Sequence, residues 1–360
     1  MEKIGRYRLT QRLGAGSFAT VWRGHDDELD VPVAVKVLAE NWADNADVRG
    51  RFLAEARLLR KIADERIVRV YDIGTLPDNR PYFVMDFADG GSLDDIRRNP
   101  IPPGRTLRLC AEAARALEVL HRNGVIHRDV TPGNILLSRT PNGGVKVLLA
   151  DLGVAKMMVG QQGATMTAGT PAYMALEQAT GVGTLDQRAD VYSMSAVTYA
   201  LLAGRPPFQV RTLADLLNRA TNPEPPAPIA AQIGASPMLD ELLAAGLSPQ
   251  PGRRPQTAEI LAAALDQVAD GMPGADSFQP RPLPASSGLL QASPSGSPQS
   301  LITAPGQYSP PQSPQSLVNG GSSAIAPAQA RHSPAFYLAL TAGIVVLFAL
   351  TLFTTVAIFG

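Results

Sequence analysis

The stretch His127-Arg128-Asp129-Val130-Thr131-Pro132-Gly133-Asn134-Ile135-Leu136, followed by Ala150-Asp151-Leu152-Gly153, decides how this chain is to be read. Asp129 is a carboxylate that can orient a hydroxyl or accept its proton. Asn134 and Asp151 offer oxygen ligands suited to Mg2+ or Mn2+, and such an ion holds phosphate oxygens. Their order and spacing point to a phosphate-handling site rather than to ordinary loop polarity.

Upstream, Leu13-Gly14-Ala15-Gly16-Ser17-Phe18-Ala19-Thr20-Val21 sets two glycines between strand-like runs. There backbone amides can approach phosphate closely. Ala19 stands where a third glycine would complete the usual pattern, and the loop joins strand to strand, which argues against a dinucleotide fingerprint. Lys36 lies inside the apolar run Val33-Ala34-Val35-Lys36, where a charge needs a partner. Glu55 is the candidate, on a helix marked by Phe52, Leu53, Ala56, Leu59 and Ala63 at three- and four-residue spacing. Taken singly, each of these is a loop glycine, an edge-strand lysine or a solvated carboxylate.

Strand patterns cover residues 7–13, 19–26, 31–38, 67–74 and 81–87. From Leu107 the chain is mostly helical, with short strands expected at 124–127, 134–138 and 145–151. These patterns predict an α+β architecture: a β-rich lobe at 1–87 and a helical lobe at 88–270.

With these motifs together, the chain resembles the protein kinase superfamily, specifically the eukaryotic-like (Hanks-type) serine/threonine kinases of bacteria, from residue 7 to about 268. The resemblance implies a two-lobed kinase fold with ATP in the cleft and transfer of its γ-phosphoryl group to protein hydroxyls. It implies that Leu13, Gly14, Ala15 and Gly16 cover the phosphates, and that Lys36 holds the α- and β-phosphates while paired with Glu55. Val21, Ala34 and Leu136 would wall the adenine, with Met85 as gatekeeper and Asp86 to Ala88 as hinge. Asp129 would be the catalytic aspartate, and Asn134 and Asp151 the metal ligands.

Asp151 to Glu177 resembles an activation loop closed by Gly169-Thr170-Pro171-Ala172-Tyr173-Met174-Ala175-Leu176-Glu177. Thr170 marks serine/threonine specificity. Thr165 and Thr167 fall where bacterial relatives autophosphorylate, with Arg128 as the phosphate's partner. The resemblance also pairs Glu177 with Arg254 and makes Asp190 a brace of the catalytic loop. His127, Leu152, Leu59 and Val70 would form an apolar column between the lobes. His25, His121 and His332 show no metal-ligand grouping, so no zinc site is expected.

Three departures bear on activity. Thr131 stands where the family places a lysine that neutralises the transferring phosphate, worth about 2–4 kcal/mol by analogy with other electrostatic donors. Leu176 replaces a proline, and Leu152 a phenylalanine. The acting residues Lys36, Glu55, Asp129, Asn134 and Asp151 are all retained, which favours an active kinase. The alternative is a pseudokinase scaffold that binds ATP or a partner without useful transfer. A small-molecule phosphotransferase fits poorly with Gly204-Arg205-Pro206-Pro207-Phe208 and the activation segment.

Lys plus Arg and Asp plus Glu both number 32, so no general attraction to nucleic acid follows. Cys110, the single cysteine, sits in a helical pattern as a structural thiol. Residues 271–334 are rich in Pro and Ser, with five Ser-Pro pairs, and read as a disordered linker. Residues 335–359 are uncharged and exceed the ~20 residues needed to cross a bilayer. The expectation is therefore a single-pass cell-membrane protein with its kinase domain in the cytoplasm, where ATP is available. Its expected partners are protein substrates and ATP, with a kinase-domain homodimer plausible for phosphorylation in trans.

Overall fold

The structure is a computed structural model and describes residues 3–153, 171–180, 184–210, 212–221 and 223–275. Thr165, Thr167 and Thr170, most of the expected linker and the apolar segment 335–359 lie outside these residues. Among the described residues no helix is long and apolar enough to cross a membrane.

The N-terminal lobe is a 6-stranded antiparallel sheet in the order β1-β2-β3-β4-β6-β5. Its strands are β1 (Lys3–Ile4), β2 (Tyr7–Ala15), β3 (Ala19–Asp26), β4 (Val31–Leu38), β5 (Val70–Thr75) and β6 (Pro81–Asp86). Central strand β4 is covered on both faces, which explains its nearly unbroken apolar sequence. Val33, Val35 and Val37 pack with Tyr7, Leu9 and Val84 on one side. Ala34 and Leu38 join the main core with Phe52, Ala56 and Phe83 on the other. Period-two alternation then puts Lys36 on the same side as Ala34 and Leu38.

Helix α1 (Ala46–Lys61) is the cover on that side. Asn45 caps it, its side chain accepting from Val48 N at 3.0 Å, and Arg60 and Lys61 complement the dipole in the last turn. Val48, Phe52, Glu55, Ala56 and Leu59 are its buried residues. Glu55 thus lies within the apolar stripe that faces β4.

The C-terminal lobe holds α2 (Leu93–Arg98), α3 (Pro103–Arg122), a hairpin of β7 (Ile135–Arg139) and β8 (Val145–Leu149), α4 (Leu176–Thr180), α5 (Arg188–Ala203), α6 (Leu213–Thr221), α7 (Met238–Gly246) and α8 (Ala258–Asp270). Helix α5 is the axis of the lobe, with every residue from Ala189 to Leu201 buried. A helix apolar all round belongs in a core. Its Ser193, Ser195 and Thr198 hydroxyls donate to the carbonyls of Ala189, Val191 and Met194 at 3.1, 2.8 and 2.9 Å, so each of these three buried hydroxyls has a partner.

Two departures from the expected strands have a cause in the structure. Residues 124–127 are not a strand, because Val125 N donates to Leu120 O at 3.0 Å and His127 N to an Asp190 carboxylate oxygen at 2.7 Å. A helix end and a side chain take the hydrogen bonds that a ladder would need. Strand β5 starts at Val70 rather than at residue 67, because Ile67 instead bridges Leu149 of β8. The packed chain runs past residue 270, with Met272 and Ala275 buried over Gly104 of α3.

The pairing of Arg254 with Glu177 anchors α4. The Arg254 side chain is fully buried, bonding both Glu177 oxygens at 2.5 and 3.0 Å and the carbonyls of Ser248 and Arg188 at 2.8 and 2.9 Å. Removing one partner of such a pair strands a buried charge, and about 3–5 kcal/mol is the usual consequence. Glu177→Leu should lower the unfolding free energy by about that amount in urea titrations.

Candidate active site

Three segments converge on the Lys36 ammonium. It lies 2.8 Å from Glu55 Oε1 on α1 and 2.8 Å from Asp151 Oδ1, just beyond β8. Burial alone would lower the Lys36 pKa, yet the carboxylates of Asp151 and Glu55 outweigh it and hold it well above its usual value. These carboxylates favour the charged form of the lysine. Burial pushes Glu55 up to about 7, against the pull of Lys36. The Asp151 side chain remains 35% exposed.

The catalytic-loop segment is held from several sides. Asp190, fully buried at the start of α5, accepts from His127 N at 2.7 Å and Arg128 N at 2.9 Å. Those bonds support Arg128 at φ 66°, a left-handed conformation that an L side chain adopts only under constraint. Asp151 has φ 59°. Gly153 N donates to His127 O at 2.9 Å. A Cβ on Gly153 would come within 3.1 Å of both that oxygen and Asp129 Cβ, so the close approach favours glycine.

His127 is fully buried. Asp129 N donates to its Nδ1 at 3.3 Å, so its Nε2–H donates to Ala150 O at 3.0 Å. Leu59, Val70 and Leu152 are buried in the main core. Asn134 Nδ2 donates to Asp129 O at 2.8 Å and Asp129 Oδ2 at 2.7 Å. This leaves Asn134 Oδ1 as the atom for a cation.

No cluster of three or more His, Cys, Asp or Glu among the described residues is placed to enclose a metal. The Asn134 amide oxygen and the Asp151 carboxylate instead fit a hard cation such as Mg2+ or Mn2+ that brings its other ligands as phosphate oxygens and water.

On the sheet side, Ala34 and Met85 are buried, and Val21, Ala88 and Leu136 pack half-buried against the main core. They supply the apolar surface expected around a planar ring. The Asp86 side chain turns away onto Arg69 N and Tyr71 OH, and Asp86 N bonds Arg69 O, so only its carbonyl could serve a ligand in the cleft. Leu13 is exposed, and Gly16 N closes the loop onto Ala19 O at 2.8 Å. At Gly14 a Cβ would meet nothing within 4 Å. Protein packing therefore does not require glycine there, whereas close approach by a ligand would.

Some contributing residues were not legible in the sequence. His121, dismissed there for want of a metal grouping, bonds Asp190 Oδ2 through Nε2 at 2.8 Å beneath the catalytic loop. Trp42 stacks on Phe18 at 5.3 Å and donates to Ser17 O at 2.8 Å, pinning the glycine loop. Gln178 on α4 reaches the Arg128 carbonyl. No local pattern announces contacts between residues 69, 25 and 50 positions apart.

Residues 7–265 match the protein kinase domain family. The chain belongs to this family. Serine/threonine-protein kinase PknB of Mycobacterium leprae is 37% identical to it over 276 residues, 74% of this chain and 44% of that protein. Serine/threonine-protein kinase Pkn1 of Myxococcus xanthus is 35% identical over 255 residues, 70% of this chain and 36% of that protein. The chain thus spans less than half the length of these curated relatives. The crystal structure of the Mycobacterium tuberculosis PknI kinase domain is similar at a TM-score of 0.58 and 26% identity, covering 74% of this chain and 97% of that one. The two lobes are those of the protein kinase fold.

Because burial raises Glu55 from 4.5 to about 7, the folded kinase domain holds a proton there that the unfolded chain releases. The resulting stability is fully present below the unfolded value and is lost as pH rises through about 7. In ligand-free protein, the wild type should therefore lose stability relative to Glu55→Gln across that window and level off above it. Denaturant titrations at a series of pH values check this.

Proposed function

We propose that this chain is an active serine/threonine protein kinase that transfers the γ-phosphoryl group of ATP to protein hydroxyls. The observation that carries the reading is the assembly of Lys36, Glu55 and Asp151 in one cluster, with Asn134 fixed on Asp129 beside it. In this reading Lys36 fixes the α- and β-phosphates, and Glu55 keeps its ammonium in place. Asp129 orients the substrate hydroxyl and accepts its proton. The hydroxyl oxygen bonds the γ-phosphorus as the bond to the β-γ bridging oxygen breaks, leaving ADP. A divalent ion held by Asn134 and Asp151 supplies neutralisation of the phosphate charge. Positioning and preorganised charge provide most of the acceleration.

Leu176 does not weigh against activity, because it opens an intact α4 whose Glu177 still reaches Arg254. Thr131 is the one feature that favours the scaffold alternative: its carbonyl closes the turn to Asn134 N at 3.1 Å, and its side chain brings no cation. The reading extends to autophosphorylation at Thr165 or Thr167, to serine/threonine selectivity through Thr170, and to anchoring in the cell membrane by residues 335–359 with the kinase domain in the cytoplasm. Its supports are the uncharged length of that segment and the motif positions.

Incubation with ATP and Mg2+ followed by phosphosite mapping should find phosphate on Thr165 or Thr167, and none in Asp129→Asn. Bound ATP without transfer in the wild type would favour the scaffold. Thr131→Lys should raise kcat about 10-fold or more, with little change in KM for ATP, since the added charge acts on the phosphate in flight.

A further inference from the structure

The two residues that precede Asp129 present four backbone polar groups, which three supports satisfy. Asp190 takes the N–H groups of His127 and Arg128. Gly153 N, beside the Asp151 cluster, donates to the His127 carbonyl. The Arg128 carbonyl accepts from Gln178 Nε2. Of these supports only Gln178 comes from α4, the helix at the end of the activation segment, where neighbouring Glu177 is locked to buried Arg254.

We infer that Gln178 is a positioning residue for catalysis, coupling the docking of α4 to the geometry of Asp129. The inference rests on the kinase reading for its kinetic consequence, though not for its structural one. Arg128 is left-handed at φ 66°, so the direction of its carbonyl sets how the chain enters Asp129. On the peptide that joins Arg128 to Asp129, the N–H donates to His127 Nδ1 and the carbonyl is held by Gln178 from α4. The chemistry of the side chain supports this role over packing. Gln178 Oε1 is buried and makes no hydrogen bond among the described residues. An apolar side chain would fill the same space without burying an unpaired oxygen. The polar residue is explained by the one bond that it makes.

When α4 is seated, Asp129 is held ready; when α4 lifts, the Arg128 carbonyl loses the Gln178 amide while the contacts of Lys36 and Glu55 stay intact. Nucleotide binding and phosphoryl transfer are therefore separable at this residue.

The test uses the full chain with Gln178→Glu, which keeps the shape but replaces the donor with an oxygen facing a carbonyl, and Gln178→Leu, which removes the polar group. Both should lower kcat about 10- to 100-fold, with KM for ATP and the melting temperature close to wild type. Amide hydrogen exchange across residues 127–130 should quicken in both, with α1 and β4 unchanged. Wild-type kcat and exchange in both variants would overturn the inference, as would a loss of kcat matched by a general loss of stability. If the wild type itself transfers no phosphate, the kinase reading fails, and exchange at 127–130 still decides the role of Gln178.

Discussion

A lysine charge buried between two lobes is the constraint on which the rest of this structure depends. Lys36 can be carried inside β4 only if opposite charge reaches it, and carboxylates arrive from two other segments at 2.8 Å each. Glu55 comes from α1, so the helix must sit with its buried face turned toward the sheet. Asp151 comes from beyond β8, so the helical lobe must close to the same point. A single ammonium thereby fixes the rotation of one helix and the approach of one loop. The arrangement leaves the Asp151 side chain partly exposed.

Below this cluster the catalytic segment is shaped by the opposite strategy: a buried carboxylate supports backbone rather than a side-chain cation. Asp190 can stay buried because main-chain N–H groups and His121 converge on it. Those bonds offset the left-handed conformation of Arg128, for which a cost of about 1–3 kcal/mol is typical. Helix α5, buried from Ala189 to Leu201, is a rigid base for that carboxylate. The candidate site therefore rests on a deeply packed helix, although Asp129, Asn134 and Asp151 lie outside the α-helices.

Much of this was legible from local pattern. Short runs rich in β-branched residues between turns located β2, β3, β4 and β6, and the three- and four-residue spacing of Phe52, Ala56 and Leu59 located α1. The segment from residue 124 was misread as a strand because Val125 and Ile126 carry strand-like side chains. What keeps it out of a sheet is a carboxylate 63 residues away. Met272 and Ala275 are apolar residues without a run around them, and only α3 beneath them gives them a reason to be buried.

The sequence alone determined which groups could act: a carboxylate at 129, oxygen ligands at 134 and 151, a lysine at 36 and a carboxylate at 55. These follow from residue chemistry and from motif spacing along the chain. It also determined the departure at Thr131, since a missing charge is visible without coordinates. Only the tertiary structure decided that Lys36 bridges Glu55 and Asp151 together, that His121 backs Asp190, and that Gln178 holds the Arg128 carbonyl. The physical reason is that a buried polar group needs a partner but does not say which one. That choice belongs to packing between segments far apart in sequence, and packing has no local signature.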